Sequence, residues 1–203
     1  MRALIAVDLQ YDFMPGAPLA VPDGDAVVPV IDGLLPSFDL VVATQDWHPT
    51  DHVSFASNHP GHAPGAVLEV GGVAQVLWAD HCVQGTHGAQ LSVGFDQRRV
   101  EAIVRKGTNP EIDSYSAFFD NARKRATGLA GYLRDREVDE VWIAGLATDY
   151  CIKFSALDAC ELGFSVAVVS DACRGIGLAA GDVDRAFEEM RAAGARVVTS
   201  DEA

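Results

Sequence analysis

The sequence predicts an α/β fold, with three α/β/α layers around a six-stranded, mostly parallel sheet, Rossmann-like in its layering. Two observations carry this. Short apolar runs of buried-strand length recur at Ala3–Val7, Leu40–Thr44, Ala102–Arg105, Val141–Gly145, Ser165–Val169 and Arg196–Thr199, most of them rich in β-branched residues. Helical patterns fall between them at Ala26–Phe38, Ala122–Arg136, Tyr150–Glu161 and Ala180–Ala193. Strands alternating with helices pair in parallel and are covered on both faces.

The junctions agree with this order. In "LDACELGFSVAVV", Gly163 stands where a helix C-terminal cap is expected before the next strand, and Gly194 does the same in "MRAAGARVVTS". One segment departs from the pattern. From Pro49 to about His87 the chain carries Gly, Pro, His, Asn and Trp without periodicity. A loop this long inside a compact domain is usually functional or disordered, and its Trp and His content favours an ordered excursion that forms a site. With no linker, repeat or low-complexity tract, residues 1–203 read as one domain.

Composition removes several function classes. The chain is 49% hydrophobic, enough to bury a core without disulfides or structural metal. Its formal charge of −14 and 15 scattered basic residues argue against nucleic acid as a partner. The densest basic cluster, "RKR" at 123–125, reads as a solvated helix face. Cys82, Cys151, Cys160 and Cys173 show no CxxC spacing and are expected to be free thiols. "MRALIAVDLQ" is too short an apolar run for a signal peptide, and no run approaches the ~18 residues of a membrane span. The expectation is a soluble cytoplasmic protein without a membrane partner. Oligomeric state is open, a homo-oligomer included.

In an open parallel sheet, ligands bind beyond the carboxyl ends of the strands. Asp8 ends the first strand, Asp46 and His48 follow the second in "ATQDWHP", Lys106 ends the third, and "AGLATDYCIKF" carries Cys151 onto the first turn of a helix. Each residue has an ordinary reading on its own: turn residue, solvated charge, small apolar filler. Asp46 and His48, two apart, point to the same side of extended backbone with Cα atoms roughly 6.5–7 Å apart, which suits two ligands of one metal or a surface hydrogen-bonded pair. A carboxylate, an ammonium, a thiol and a metal-type pair on one sheet edge together make a constellation that chance placement does not explain.

"VDLQYDF", "DWHP", "HCVQGTHG", "RKG" and "GLATDYC" occur in an order that resembles the nicotinamidases (pyrazinamidases) of the isochorismatase-like hydrolase superfamily, over residues 3 to about 175. The resemblance implies that superfamily's fold and a catalytic triad of Asp8, Lys106 and Cys151. It also implies a divalent metal held by Asp46, His48 and His81, with Ser54 touching it through water. His52 is a further candidate that some relatives recruit and others do not. Phe13, Trp78 and Tyr115 fall where relatives wall a pyridine ring, and Tyr150 reads as a pocket residue or a helix-packing one. A cis peptide between Leu146 and Ala147 is implied as well. The implied substrate is nicotinamide, and pyrazinamide with it.

The chemistry such a site must solve is plain. A helix N-terminus and the Lys106 ammonium favour a thiolate at Cys151, Asp8 can relay its proton, and the backbone N–H groups of Ala147 and Cys151 are candidates for an oxyanion hole. One carboxylate and two imidazoles suit Zn first, with Mn or Fe as alternatives. Two other readings stay open: a related hydrolase acting on another small amide or carbamoyl compound, and a non-catalytic metal-binding domain on the same fold. A dinucleotide-binding protein is weaker, because no GxGxxG follows the first strand.

Overall fold

The structure, a computed structural model, describes all 203 residues. In chain order it comprises β1 (Arg2–Val7), α1 (Val27–Leu34), β2 (Leu40–Asp46), β3 (Val67–Val70), β4 (Val73–Val76), β5 (Ala102–Lys106), α2 (Leu129–Arg134), β6 (Glu140–Leu146), α3 (Lys153–Glu161), β7 (Ser165–Arg174), α4 (Asp182–Ala192) and β8 (Arg196–Val198). Six strands form one sheet in the order β5-β2-β1-β6-β7-β8, and every pairing in it is parallel.

Side-chain alternation along the strands divides the core in two. Leu4, Ala6, Val41, Ala43, Trp142 and Ala144 face α1, where Val27, Val28, Ile31 and Leu34 cover them. Ala3, Ile5, Val42, Val141 and Ile143 face the other way, toward Leu129 and Leu133 of α2, Ala156 of α3, and Ala186 and Met190 of α4. Both faces of the central strands are therefore dry, the three-layer arrangement expected from uninterrupted apolar runs. Gly163 and Gly194 follow their helices at φ +88° and +102°, as cap glycines do. No helix is long and apolar enough to cross a membrane.

Three readings of local structure need correction. The helical pattern at Ala122–Arg136 forms a helix only over Leu129–Arg134. Residues 119–126 instead make a tight turn closed by an Asp120–Arg125 backbone hydrogen bond, with Arg123 at φ +56°. The "RKR" cluster is thus no helix face, and Arg123 reaches across to Asp158 and Glu161 of α3. Local propensity lost here to turn chemistry at Asp120 and Gly128. The helix expected from Tyr150 begins as a π-helical turn over Thr148–Ile152 and becomes α-helical at Lys153. Within residues 49–87, β3 and β4 form an antiparallel hairpin that the sequence did not signal.

The chain builds β1, moves outward to β2 and β5, then returns to place β6 on the opposite side of β1. That reversal opens a crevice at the carboxyl ends of β1 and β6. Gly145 makes the close approach there: it sits at φ +127°, and a Cβ on it would lie 2.1 Å from the Val7 carbonyl oxygen. We predict that Gly145→Ala lowers folding stability by about 2–3 kcal/mol, through backbone strain together with the clash. A urea denaturation midpoint equal to wild type would show that β1 and β6 tolerate separation at this end.

Candidate active site

Four strand ends deliver the site. Asp8 follows β1 and takes a left-handed conformation, φ +53°, as the chain turns off the sheet. Asp46 and Lys106 close β2 and β5 and are register partners on adjacent parallel strands, so their side chains leave the sheet side by side. Cys151 stands in the π-helical turn that follows β6. The peptide bond between Leu146 and Ala147 is cis, as expected. The Ala147 N–H donates to no backbone carbonyl or side chain.

Lys106 is the centre of this arrangement. It is 2% exposed, and its Nζ lies 2.8 Å from Asp8 Oδ2, 2.5 Å from Asp46 Oδ1, 3.1 Å from the Ser114 carbonyl oxygen and 3.3 Å from Cys151 Sγ. Burial alone would pull its pKa down, but the carboxylates of Asp46 and Asp8 outweigh that and hold it well above the ordinary lysine value. The two carboxyl groups diverge. Burial pushes Asp8 up despite Lys106 beside it. Asp46 is just as buried, yet Lys106 and then His48 overcome the burial and hold it below the usual range. The Cys151 thiol is raised well above its ordinary value by burial, with Lys106 pulling the other way. Burial thus works against a thiolate here and Lys106 works for one, with the raised Asp8 carboxyl close by. Thr44 orients that carboxylate, its hydroxyl donating to Asp8 Oδ1 at 2.6 Å.

Asp46 also faces a second cluster. Its Oδ2 lies 3.7 Å from His48 Nε2 and 3.9 Å from His81 Nε2, and all three residues are buried. His48 Nδ1–H donates to the Gly107 carbonyl at 2.9 Å and His81 Nδ1–H to the Ala79 carbonyl at 2.8 Å. A carbonyl can only accept, so each bond puts the ring proton on Nδ1 and leaves an Nε2 lone pair turned toward Asp46. One ligand atom from each residue lies within 4.8 Å of the others. Burial and the neighbouring His48 hold His81 at about 4, which keeps its lone pair available. His48 goes the other way: burial lowers it, but Asp46 wins, so a proton and a cation compete there. This donor set fits a divalent metal.

His52 and Ser54 are also fully buried, but outside that trio. The Ser54 N–H donates to His52 Nδ1 at 3.3 Å, and the Ser54 hydroxyl lies 2.7 Å from the same atom. In that tautomer the proton is on Nε2, which meets no hydrogen-bond partner, and one ligand atom each of His52, His48 and Asp113 also lies within 4.8 Å of the others. Burial and His48 hold its pKa at about 4.

The pocket beside Cys151 is lined by Phe13, Trp78 and Tyr115, the aromatic residues that the resemblance implied, by Tyr150, and by Asp46 and His81. Trp78 and Tyr150 pack edge to face at 4.9 Å, and Trp78 Nε1–H donates to the Tyr115 hydroxyl at 3.3 Å. A larger groove of about 770 Å³ lies elsewhere, between Asp51 and Lys124, but it holds neither the thiol nor the metal-type trio. Sequence reasoning missed Asp113, which also lines the pocket and accepts a 3.2 Å hydrogen bond from Gln75 of β4. An acidic residue in "NPEIDS" reads as solvated, and nothing local reveals that the hairpin covers it.

Comparison with known proteins agrees with this geometry. The isochorismatase domain model matches residues 2–202. The chain is 50% identical to the nicotinamidase of Escherichia coli (strain K12), over 98% of this chain and 94% of that one. Among solved structures it is similar to the nicotinamidase/pyrazinamidase of Acinetobacter baumannii, with a TM-score of 0.96 at 44% identity over 99% and 97% of the two chains. The pyrazinamidase of Pyrococcus horikoshii in complex with zinc gives a TM-score of 0.79 at 39% identity over 98% of both. On fold, site geometry and sequence together, the chain belongs to the isochorismatase-domain family.

Proposed function

We propose that this chain hydrolyses the carboxamide of nicotinamide to nicotinic acid and ammonia, with pyrazinamide as a second substrate. The observation that carries the reading is the cluster of Cys151, Lys106 and Asp8, packed against the Asp46–His48–His81 trio in one aromatic pocket. Those three ligands would hold one divalent cation, and Zn best suits two imidazoles and a carboxylate, with Mn or Fe as alternatives. When bound, the cation supplies a Lewis-acidic position for the pyridine nitrogen. Ser54 would meet that cation through water, and His52, whose Nδ1 lies 2.7 Å from the Ser54 hydroxyl, is the further candidate beside it. We read residues 1–203 as one catalytic domain. All four cysteines are unpaired, which suits a reducing compartment such as the cytoplasm, where we assign the reaction.

The residues perform the reaction in two halves. Cys151 attacks the carboxamide carbon as Asp8 takes the thiol proton, so a free thiolate never has to accumulate in a site that burial makes costly for it. The N–H groups of Ala147 and Cys151 stabilise the oxyanion. Collapse breaks the C–N bond, and Asp8 returns the proton to departing ammonia, leaving a Cys151 thioester. Asp8 then takes a proton from water, the hydroxyl adds to the thioester carbon, and collapse releases nicotinic acid as the sulfur regains its proton. Lys106 stays an ammonium throughout and offsets the negative charge that moves between Asp8 and sulfur. Two carboxylates pushed apart in pKa around one lysine divide the labour: Asp8 exchanges protons, Asp46 stays ionised.

Three outcomes follow. Cys151→Ala lowers ammonia release from nicotinamide by about 10³-fold or more, and residual turnover near wild type would end the covalent route. Loss of cation through His48→Ala raises KM for nicotinamide about tenfold, equivalent to ~1.4 kcal/mol of binding; an unchanged KM in the metal-free variant would remove the ring-positioning role. Asp8 must be ionised to act as base, and its pKa is raised, so activity falls as pH drops through a value above the ordinary carboxylate range. The acid limb of kcat/KM is expected above about pH 4, and a limb at or below that value would take the base role away from Asp8.

A further inference from the structure

The segment after β1 carries two buried or half-buried polar side chains that the mechanism does not use. Gln10 is fully buried. Its Oε1 accepts from the Asp46 N–H at 2.8 Å, while its Nε2–H₂ donates to the Asp46 carbonyl at 2.7 Å and to the Ala89 carbonyl at 2.9 Å. The reason lies in the sheet. β1 pairs with β2 only as far as Ala6 opposite Ala43, because the chain leaves the sheet at Asp8. The Trp47 N–H turns toward β5 and donates to Lys106, so the Asp46 amide and carbonyl turn toward the side β1 has vacated. Buried backbone groups there need partners, and the Gln10 carboxamide supplies a donor and an acceptor in place of the missing strand.

Two residues on, Asp12 does a related thing for another loop. Its Oδ2 accepts from the Cys82 N–H at 2.7 Å. Cys82 directly follows His81 and sits at φ +47°, a conformation that a buried non-glycine residue keeps only when its surroundings hold it. The Cys82 carbonyl in turn accepts from the His48 N–H at 3.0 Å. Gripping Cys82 therefore sets the backbone beside both histidines. Gly88 packs against the same carboxylate: a Cβ there would lie 2.1 Å from both Asp12 oxygens.

We infer that Gln10 and Asp12 are positioning residues that assemble the metal centre, one gripping the backbone of Asp46 and the other the backbone between His81 and His48. Two segments remote in sequence, the turn at Asp46–His48 and the stretch from His81 to Ala89, are thereby referenced to one short segment, which also carries Asp8. The inference rests on the reading of Asp46, His48 and His81 as metal ligands. It predicts that neither residue touches the cation, yet both control how tightly and in what geometry it is held.

The test is titration of the metal-free protein with Co²⁺, read by the visible ligand-field band as well as by affinity. Gln10→Ala and Asp12→Ala are expected to bind Co²⁺ about 10- to 100-fold more weakly, the usual cost of losing a group that orients a ligand, and to shift the band even at saturation. Gly88→Ala, which leaves Asp12 in place but pushes its carboxylate off the Cys82 amide, is expected to match Asp12→Ala. Asp12→Asn keeps a carbonyl acceptor for that amide and is expected to bind within about threefold of wild type. Should the alanine variants fail to fold, Gln10→Glu replaces Gln10→Ala; it preserves volume, loses the donor to the Asp46 carbonyl, and is expected to weaken Co²⁺ by about tenfold or more, against near-normal Asp12→Asn. Wild-type affinity and an unshifted band in the Gln10 and Asp12 variants, with binding lost in Asp46→Ala, would overturn the positioning role alone. Undiminished Co²⁺ binding by Asp46→Ala would instead overturn the ligand assignment beneath it.

Discussion

One ammonium group holds this site together. Lys106 has three N–H protons, and around it stand Asp8, Asp46, the Ser114 carbonyl and the Cys151 sulfur, all within 3.3 Å. A buried lysine is costly unless its charge is met, and two buried carboxylates are costly unless theirs is. Each of these three charged groups is tolerable only because the others are present. Asp46 links the two halves of the site, with Oδ1 on Lys106 and Oδ2 facing the two imidazoles. That link makes the metal-type trio and the thiol parts of one electrostatic unit.

The parallel sheet is what brings these groups together. Asp46 and Lys106 meet because they are register partners at the ends of adjacent strands, which rigid ladders align without help from loops. Asp8 and Cys151 meet because β1 and β6 are neighbours across the reversal in strand order. The aromatic wall needs more: Trp78 follows the β3–β4 hairpin, Tyr115 comes from the loop after β5, and Tyr150 belongs to the π-helical turn beside the nucleophile. Gln75 on the hairpin reaches Asp113, which ties that excursion to the pocket rim.

What could be read from the chain was whatever has a local cause. Buried parallel strands must be apolar over their whole length, so six runs announced the sheet, and the ends of four of them, with the turns beyond, announced Asp8, Asp46, Lys106 and Cys151. Glycine caps were legible because only glycine takes that φ cheaply. The resemblance extended this to His81, to the pocket aromatics and to the cis bond, none of which spacing or periodicity would have found. The same local reading failed at residues 122–128, where helix-compatible composition yielded to a turn that carries Arg123 to α3.

By itself, then, the sequence determined the fold class and the residue types at the sheet edge, because hydrophobic periodicity and strand-end chemistry are written within a few residues of one another. Only the tertiary structure decided how protons are distributed among them. Asp8 and Asp46 are the same residue type and equally buried, yet one is pushed up in pKa and the other held down, by neighbours that arrive from other strands and loops. Gln10 and Asp12 belong here too: nothing in "VDLQYDF" says whose backbone they grip, since their partners lie 36 and 70 residues away. Burial and charge act through space, so their outcome exists only once distant segments have been packed together.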